Sequence, residues 1–360
     1  MVLVARAPEM TALRDILLRR IATEGPISVA AYMSECLMNP QHGYYTMQQP
    51  FGGQGDFITA PEISQMYGEL LGLALAQSWL DQGAPDRVTL AEYGPGRGTL
   101  MADVLRATRG VTGFHQALDL VLYEASPRLR AVQQALLAAY APRWIAAPGD
   151  LPDQPLYLLA NEFFDALPIH QFLRGAQGWQ ERRITATGGQ LGLDLGPAVP
   201  PDLFDLRFAA DPPGTVVEVC PAAAAPIEAA AARIRQHGGL ALIADYGGWR
   251  SKGATLQALR GHAYADPLDS PGQADLTAHV DFEALVRMAR MPHAYAPQGR
   301  VLTALGIGPR TQVLAQHLGG AALEAHLAAA ERLTAPAEMG ELFKVLALFA
   351  PTAPLPPGFA

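Results

Sequence analysis

The chain has 360 residues, half of them apolar and 17% charged, which is enough material for one large core or two coupled ones. A formal net charge of −8 leaves no overall positive field to draw in phosphate backbones, so nucleic acid is excluded as an expected partner. Two cysteines, Cys36 and Cys220, rule out a cysteine zinc cluster and fit a reducing, cytoplasmic setting.

From the N-terminus, the apolar Met1 to Ala5 is cut off from any signal-peptide core by charged residues from Arg6 to Arg20, and the chain reads as unsecreted. No apolar run approaches the roughly 18 residues of a bilayer-spanning helix. Thr11 to Thr23 and Ile27 to Leu37 have helical spacing. A Gly/Pro-rich stretch follows from Asn39 to Phe57, too broken for a long regular element. Thr59-Ala60-Pro61-Glu62 matches a capping box with proline in the first turn, predicting one helix from Thr59 to about Leu80. After Arg87 the period changes. Val88 to Tyr93, Leu118 to Tyr123, Leu156 to Ala160 and Leu240 to Ala244 are short apolar runs alternating with helical stretches such as Thr99 to Ala107 and Pro127 to Tyr140. Strand and helix in alternation predict an α/β fold, a doubly wound Rossmann-like parallel sheet with buried strands. Gln171 to Leu195 alternates polar residues with glycines and predicts hairpin strands beside that sheet. Helices are expected from Asp281 to about Arg290 and from Gln312 to Leu333, then a last strand from Glu341 to Ala350. The expected division is a helical N-terminal region over 1–85, a catalytic domain over 86–350 with inserted hairpins over about 171–215, and a loose tail over 351–360.

The densest chemistry is Glu92-Tyr93-Gly94-Pro95-Gly96-Arg97-Gly98-Thr99, a strand end that turns on three glycines straight into a helix. Glycines there allow the tight turn and let a ligand touch the backbone, the context of a nucleotide-type cofactor site. Neither lysine, Lys252 or Lys344, lies in a G-x-x-x-x-G-K-[ST] string, so a P-loop is excluded. Glu124 ends the second strand, where a carboxylate can accept both ribose hydroxyls of an adenosine cofactor. NAD and S-adenosylmethionine both carry that ribose. The G-x-G-x-G spacing favours the second, as does Glu92 before the turn, which would repel a pyrophosphate and suits an ammonium or sulfonium. Asp150 is a candidate for the adenine amino group and equally a plain turn aspartate. Asn161, Glu162 and Asp165 follow the fourth strand and would project over the cofactor, since ligands of open α/β sheets sit beyond the carboxyl ends of the strands. Asp245-Tyr246-Gly247 closes the next run in the same way, and His170 and His279 are further candidates for the proton. The site needs no metal.

Together with His42-Gly43-Tyr44-Tyr45, Gly55 to Ser64, Ala274 to Phe282 and Glu341-Leu342-Phe343-Lys344, these strings resemble the MidA family of S-adenosylmethionine-dependent methyltransferases across almost the whole chain. Tyr93 stands where an aliphatic residue is expected of that family. The mitochondrial members methylate an arginine of a respiratory complex I subunit. The resemblance implies a seven-strand class I methyltransferase sheet with its last strand antiparallel. It also implies a substrate-side loop containing Gly55, Asp56, Phe57 and Thr59, and a protein substrate presenting an arginine. A homo-oligomer is compatible with it. Other readings are a non-catalytic assembly factor that keeps the S-adenosylmethionine-binding fold, and an NAD(P)-dependent oxidoreductase.

Overall fold

The apolar runs that interrupt the helical period after Arg87 become strands, because branched and aromatic side chains fill a pleated surface better than a helix face. The computed structural model describes residues 12–47, 59–199 and 206–359. Its main sheet contains β1 (Val88–Tyr93), β2 (Leu118–Tyr123), β3 (Arg143–Ile145), β4 (Leu156–Asn161), β5 (Gly239–Gly248), β6 (His293–Pro297) and β7 (Phe343–Phe349). These strands lie in the order β6-β7-β5-β4-β1-β2-β3. The run from β5 to β3 is parallel, while β7 is antiparallel to both neighbours. Every residue of β1 is buried, as befits a central strand.

The chain divides into two units. The sheet unit comprises Ile58–Asp165, Ala223–Trp249 and Phe282–Ala360. Its helices include α1 (Gln65–Asp81), α2 (Thr99–Ala107), α3 (Pro127–Leu137) and α4 (Ala224–His237). Leu71, Leu75, Trp79, Leu90, Val104, Leu122, Leu242 and Val345 belong to one apolar cluster. One buried acid ties three helices of this unit together. Glu69 of α1 accepts from Arg310 Nε at 2.7 Å and from Arg106 Nη1 at 2.7 Å. Burial alone would raise this carboxyl, but the two guanidinium groups outweigh it and hold the pKa below its ordinary value.

The second unit comprises Met1–Phe57, Ala166–Ala222 and Arg250–Asp281. Helix Ala12–Glu24 is followed by a helix over Val29–Met38, which Ser28 caps by accepting from Ala31 N at 3.0 Å. Strands His170–Arg174, Trp179–Thr187, Gln190–Val199 and Val216–Val219 pair antiparallel. Gly188 and Gly189, with φ of 59° and 77°, make the tight turn between the second and third of these. Leu17, Tyr32, Met33, Ile184 and Leu276 form the core. His170 Nδ1 lies 2.7 Å from Glu181 Oε1, and the His279 N–H donates to Thr255 Oγ1 at 2.8 Å.

Several elements differ from the sequence expectation, each for a local reason. The helix expected from Thr59 to about Leu80 is two helices. A short one over Ala60–Ile63 stops at Ser64, which is extended and caps α1 by accepting from Met66 N at 3.2 Å. Serine is a strong N-cap, so it restarts the helix on a new axis. Thr59 makes no side-chain cap bond, and the capping box does not form. The helix expected over Gln312 to Leu333 is split into Ile307–Ala315 and Gly320–Thr334 by Gly319-Gly320, the second glycine at φ 55°. Strand β6, flanked by Pro292 and ending on Pro297, was not expected. Helix α1, read from sequence as part of the N-terminal region over 1–85, belongs to the sheet unit. The tail, expected to be loose, brings Phe359 against the sheet unit's apolar cluster.

Candidate active site

Parallel register aligns the strand ends. Tyr93 stands beside Tyr123 on one side and Ala160 on the other, and Asn161 pairs with Ala244. The chain leaves β1 toward β2 on one flank, while β4 lies on the opposite flank. The segments after β1, β2, β4 and β5 therefore emerge along one edge, around the crevice of a topological switch point.

The glycine turn occupies that crevice. Gly94, Gly96 and Gly98 have φ of 63°, 53° and 85°, a region that β-carbons disfavour. Gly94 N donates to Tyr123 O at 3.0 Å, and Gly98 is the N-cap of α2. A Cβ on Gly94 would lie 2.8 Å from Phe163 Cδ2. Phe163 itself packs against Tyr93, Tyr123 and Phe164 with ring centroids 5.6, 6.1 and 5.1 Å away. Thr99, the first residue of α2, donates its hydroxyl to Glu62 Oε1 at 2.6 Å. Glu62 thereby braces the turn, and its Oε2 lies 3.8 Å from Arg97 Nη1.

Two buried carboxylates lie at the ends of the strands beside the turn. Glu124, 8% exposed, accepts from Ser126 N at 2.8 Å and from Gln133 Nε2 at 3.2 Å. The same Gln133 nitrogen donates to Gly96 O at 2.7 Å, and Trp144 Nε1 donates to Gln133 Oε1 at 2.7 Å. Sequence reasoning missed Gln133, because its one-sided neighbours on α3 look like an ordinary helix surface. Burial raises the Glu124 carboxyl. Glu92 is only 2% exposed, and its Oε2 finds no hydrogen-bond partner among the described residues. A buried orphan acceptor beside a glycine turn fits a ligand cation such as an ammonium. Asp150 lies exposed and accepts from Ala147 N at 2.9 Å, which gives it a turn-closing task of its own.

Burial, reinforced by the Glu124 charge, pushes the Glu92 carboxyl from 4.5 up to about 8. Between those values the folded chain keeps a proton that the unfolded chain releases. The stability this group contributes is full at low pH and is lost as pH rises toward the folded value. The melting temperature of the wild type, measured without added ligand, is expected to fall relative to Glu92→Gln as pH rises from about 5 to about 8. Parallel melting series in the same buffers check this, and identical slopes would refute it.

On the far side of β1, Asn161 ends β4, and Glu162 adopts φ 50°, an uncommon conformation for a side-chain-bearing residue. Glu162 N donates to Ala244 O at 2.9 Å, and its Oε1 accepts from Asn161 Nδ2 at 3.1 Å and Ala60 N at 3.4 Å. Asp245 is fully buried. Its Oδ2 accepts from Phe164 N at 3.0 Å and Asp165 N at 3.2 Å, and its Oδ1 from Tyr246 N at 3.0 Å. Burial, then the Glu162 charge, raises this carboxyl well above its ordinary value despite three N–H donors. Asn161, Glu162 and Asp165 are thus brought together on one loop that Asp245 holds from β5. Thr59 is buried, one residue before the Ala60 N–H that meets Glu162. Gly55, Asp56 and Phe57 lie outside the described residues.

Residues 70–299 match the family described as "Putative S-adenosyl-L-methionine-dependent methyltransferase". The mouse and human mitochondrial proteins named protein arginine methyltransferase NDUFAF7 are 37% and 36% identical to the chain; the alignments cover 96% and 92% of it and 86% and 82% of those proteins. A crystal structure of a superfamily member from Burkholderia thailandensis bound to S-adenosyl-homocysteine is similar with a TM-score of 0.81 and 30% identity, covering 99% of this chain and 96% of that one. With the glycine turn, the orphan acceptor of Glu92 and matches of this extent, the chain belongs to the family of S-adenosyl-L-methionine-dependent methyltransferases.

Proposed function

We propose that the chain methylates an arginine side chain of a protein substrate, a respiratory complex I subunit or its bacterial counterpart, in the cytoplasm. The observation that carries this reading is the acidic loop at the crevice, where Glu162 and Asp165 stand on a backbone anchored by buried Asp245. A guanidinium stays charged at all working pH and offers a planar fork of donors, which carboxylates accept best. S-adenosyl-L-methionine, when bound, supplies an electrophilic methyl group on a sulfonium. Glu124 and Asp150 are the groups to hold its adenosine, and Glu92 faces its ammonium, with Gly94, Gly96, Gly98 and Thr99 forming the wall. Glu162 and Asp165 orient the guanidinium so that one nitrogen points at the methyl carbon, and positioning of this kind can supply about 7 to 11 kcal/mol. A carboxylate takes the departing proton as the nitrogen is alkylated, so no free guanidine need form beforehand.

The finer fold assignment belongs to the same reading. Seven strands in the order given above, with β7 reversed, support a doubly wound class I methyltransferase sheet, and the antiparallel strands between 170 and 219 support a hairpin insertion. Mass spectrometry of proteins from a deletion strain and its parent tests the substrate class. Peptides whose arginine is methylated only in the parent are the expected result. Differences confined to lysine, histidine or hydroxyl side chains would refute it.

A further inference from the structure

Helix α1 carries a wholly buried tyrosine, Tyr67, whose hydroxyl donates to Asn161 Oδ1 at 2.6 Å. Asn161 donates in turn through Nδ2 to Glu162 Oε1 at 3.1 Å. The phenol has one role available. Burial first, then the charges of Glu162, Asp245 and Glu92, raise its pKa well above the ordinary value, so it stays a donor. A donor facing Oδ1 decides which way the Asn161 amide is turned. Were the amide reversed, its carbonyl would meet the Glu162 carboxylate, acceptor against acceptor.

We propose that Tyr67 is a positioning residue for methyl transfer: its hydroxyl fixes the Asn161 amide so that the amide nitrogen holds Glu162 Oε1 and sets the direction from which that carboxylate meets the acceptor. The proposal rests on the reading of Glu162 as the acceptor-side carboxylate. Asn161, expected from sequence among the catalytic groups, becomes the relay between tyrosine and carboxylate. Among the described residues, the titratable groups that interact with Glu162 include Tyr67 from α1 and Asp245 from β5, while the Ala60 N–H comes from the short helix before α1.

Tyr67→Phe keeps the ring and removes the hydroxyl. The expected result is a fall in kcat of about 10- to 100-fold, the cost of a misdirected catalytic group, with the Kd for S-adenosyl-L-methionine unchanged by calorimetry. The acid limb of the kcat profile should also move to higher pH, because Glu162 loses a donor that favours its charged form. Asn161→Ala cuts the relay at its middle while leaving Tyr67 itself unchanged, and should displace the same limb in the same direction. An unmoved pH profile in both variants would overturn the proposal, whatever happens to kcat or to thermal stability. The two layers fail separately. Full transfer by Glu162→Gln would defeat the reading of Glu162 and the relay with it, whereas an inactive Glu162→Gln beside unmoved profiles for Tyr67→Phe and Asn161→Ala would defeat the relay alone.

Discussion

Glu162→Gln is expected to lower kcat for methyl transfer by about 10³-fold, the loss typical of a preorganised group that acts on transition-state charge or accepts a proton. The Kd for S-adenosyl-L-methionine should stay within about twofold, because the groups assigned to the donor lie on other strands. The substitution separates charge from shape. Oε1 of Glu162 accepts two hydrogen bonds, from the Asn161 amide and the Ala60 N–H, and a glutamine oxygen can accept both. The left-handed backbone at this residue is held by its own N–H to Ala244 O and by the Asp245 contacts to Phe164 and Asp165, none of which involves the altered atom. Radiolabel transfer from the methyl donor, measured beside calorimetric binding, gives both numbers. Wild-type transfer in this variant would remove Glu162 from the chemistry.

Gly94→Val should abolish measurable binding of S-adenosyl-L-methionine and lower the melting temperature. A β-branched residue at φ 63° is strained by its own backbone, a cost of about 1 to 2 kcal/mol. The added Cβ also points at Phe163 Cδ2, 2.8 Å away, so the ring must leave its place among Tyr93, Tyr123 and Phe164. Phe163 adjoins Glu162, so the damage reaches both sides of the crevice. Gly83→Ala is the internal control, because Gly83 is not among the groups assigned to the cofactor, its φ of 87° brings a similar backbone strain, and its Cβ would meet nothing within 4 Å. Calorimetry and thermal melting on the two variants check the contrast. Wild-type affinity in Gly94→Val would take the turn out of the site.

Local patterns carried the sheet and hid most of the connections between its parts. Val88 to Tyr93 and Leu118 to Tyr123 were legible to the residue, because unbroken apolar runs between turn residues leave little choice but a buried strand. The break at Ser64 was written in the sequence as well, but Thr59 and Glu62 formed a competing cap signal, and tertiary contacts decided between them. Glu62 is drawn to Thr99, 37 residues further on. Strand β6 has alanines and prolines where a strand signal needs branched residues, and only pairing with β7 defines it. In the candidate site, Glu92, Gly94, Gly98 and Glu124 lie at the ends of two adjacent strands, close together in the chain, so a sequence reading meets them at once. Tyr67 could not be found that way. It lies 94 residues from Asn161 in an apolar helix, where a tyrosine reads as packing.

The position of β7 governs how this protein can be made. The strand formed by residues 343–349 lies between β5 and β6, and among the described residues β6 pairs with no other strand. As the chain emerges from a ribosome, β5, which ends at Gly248, keeps an unfilled edge until β7, which begins at Phe343, has been made, and until then β6 has nothing to join. Closure of the sheet therefore waits for β7 to be made and to slide in between strands that precede it in the chain. Such late, non-local pairing is slow and leaves an open edge exposed to other nascent chains.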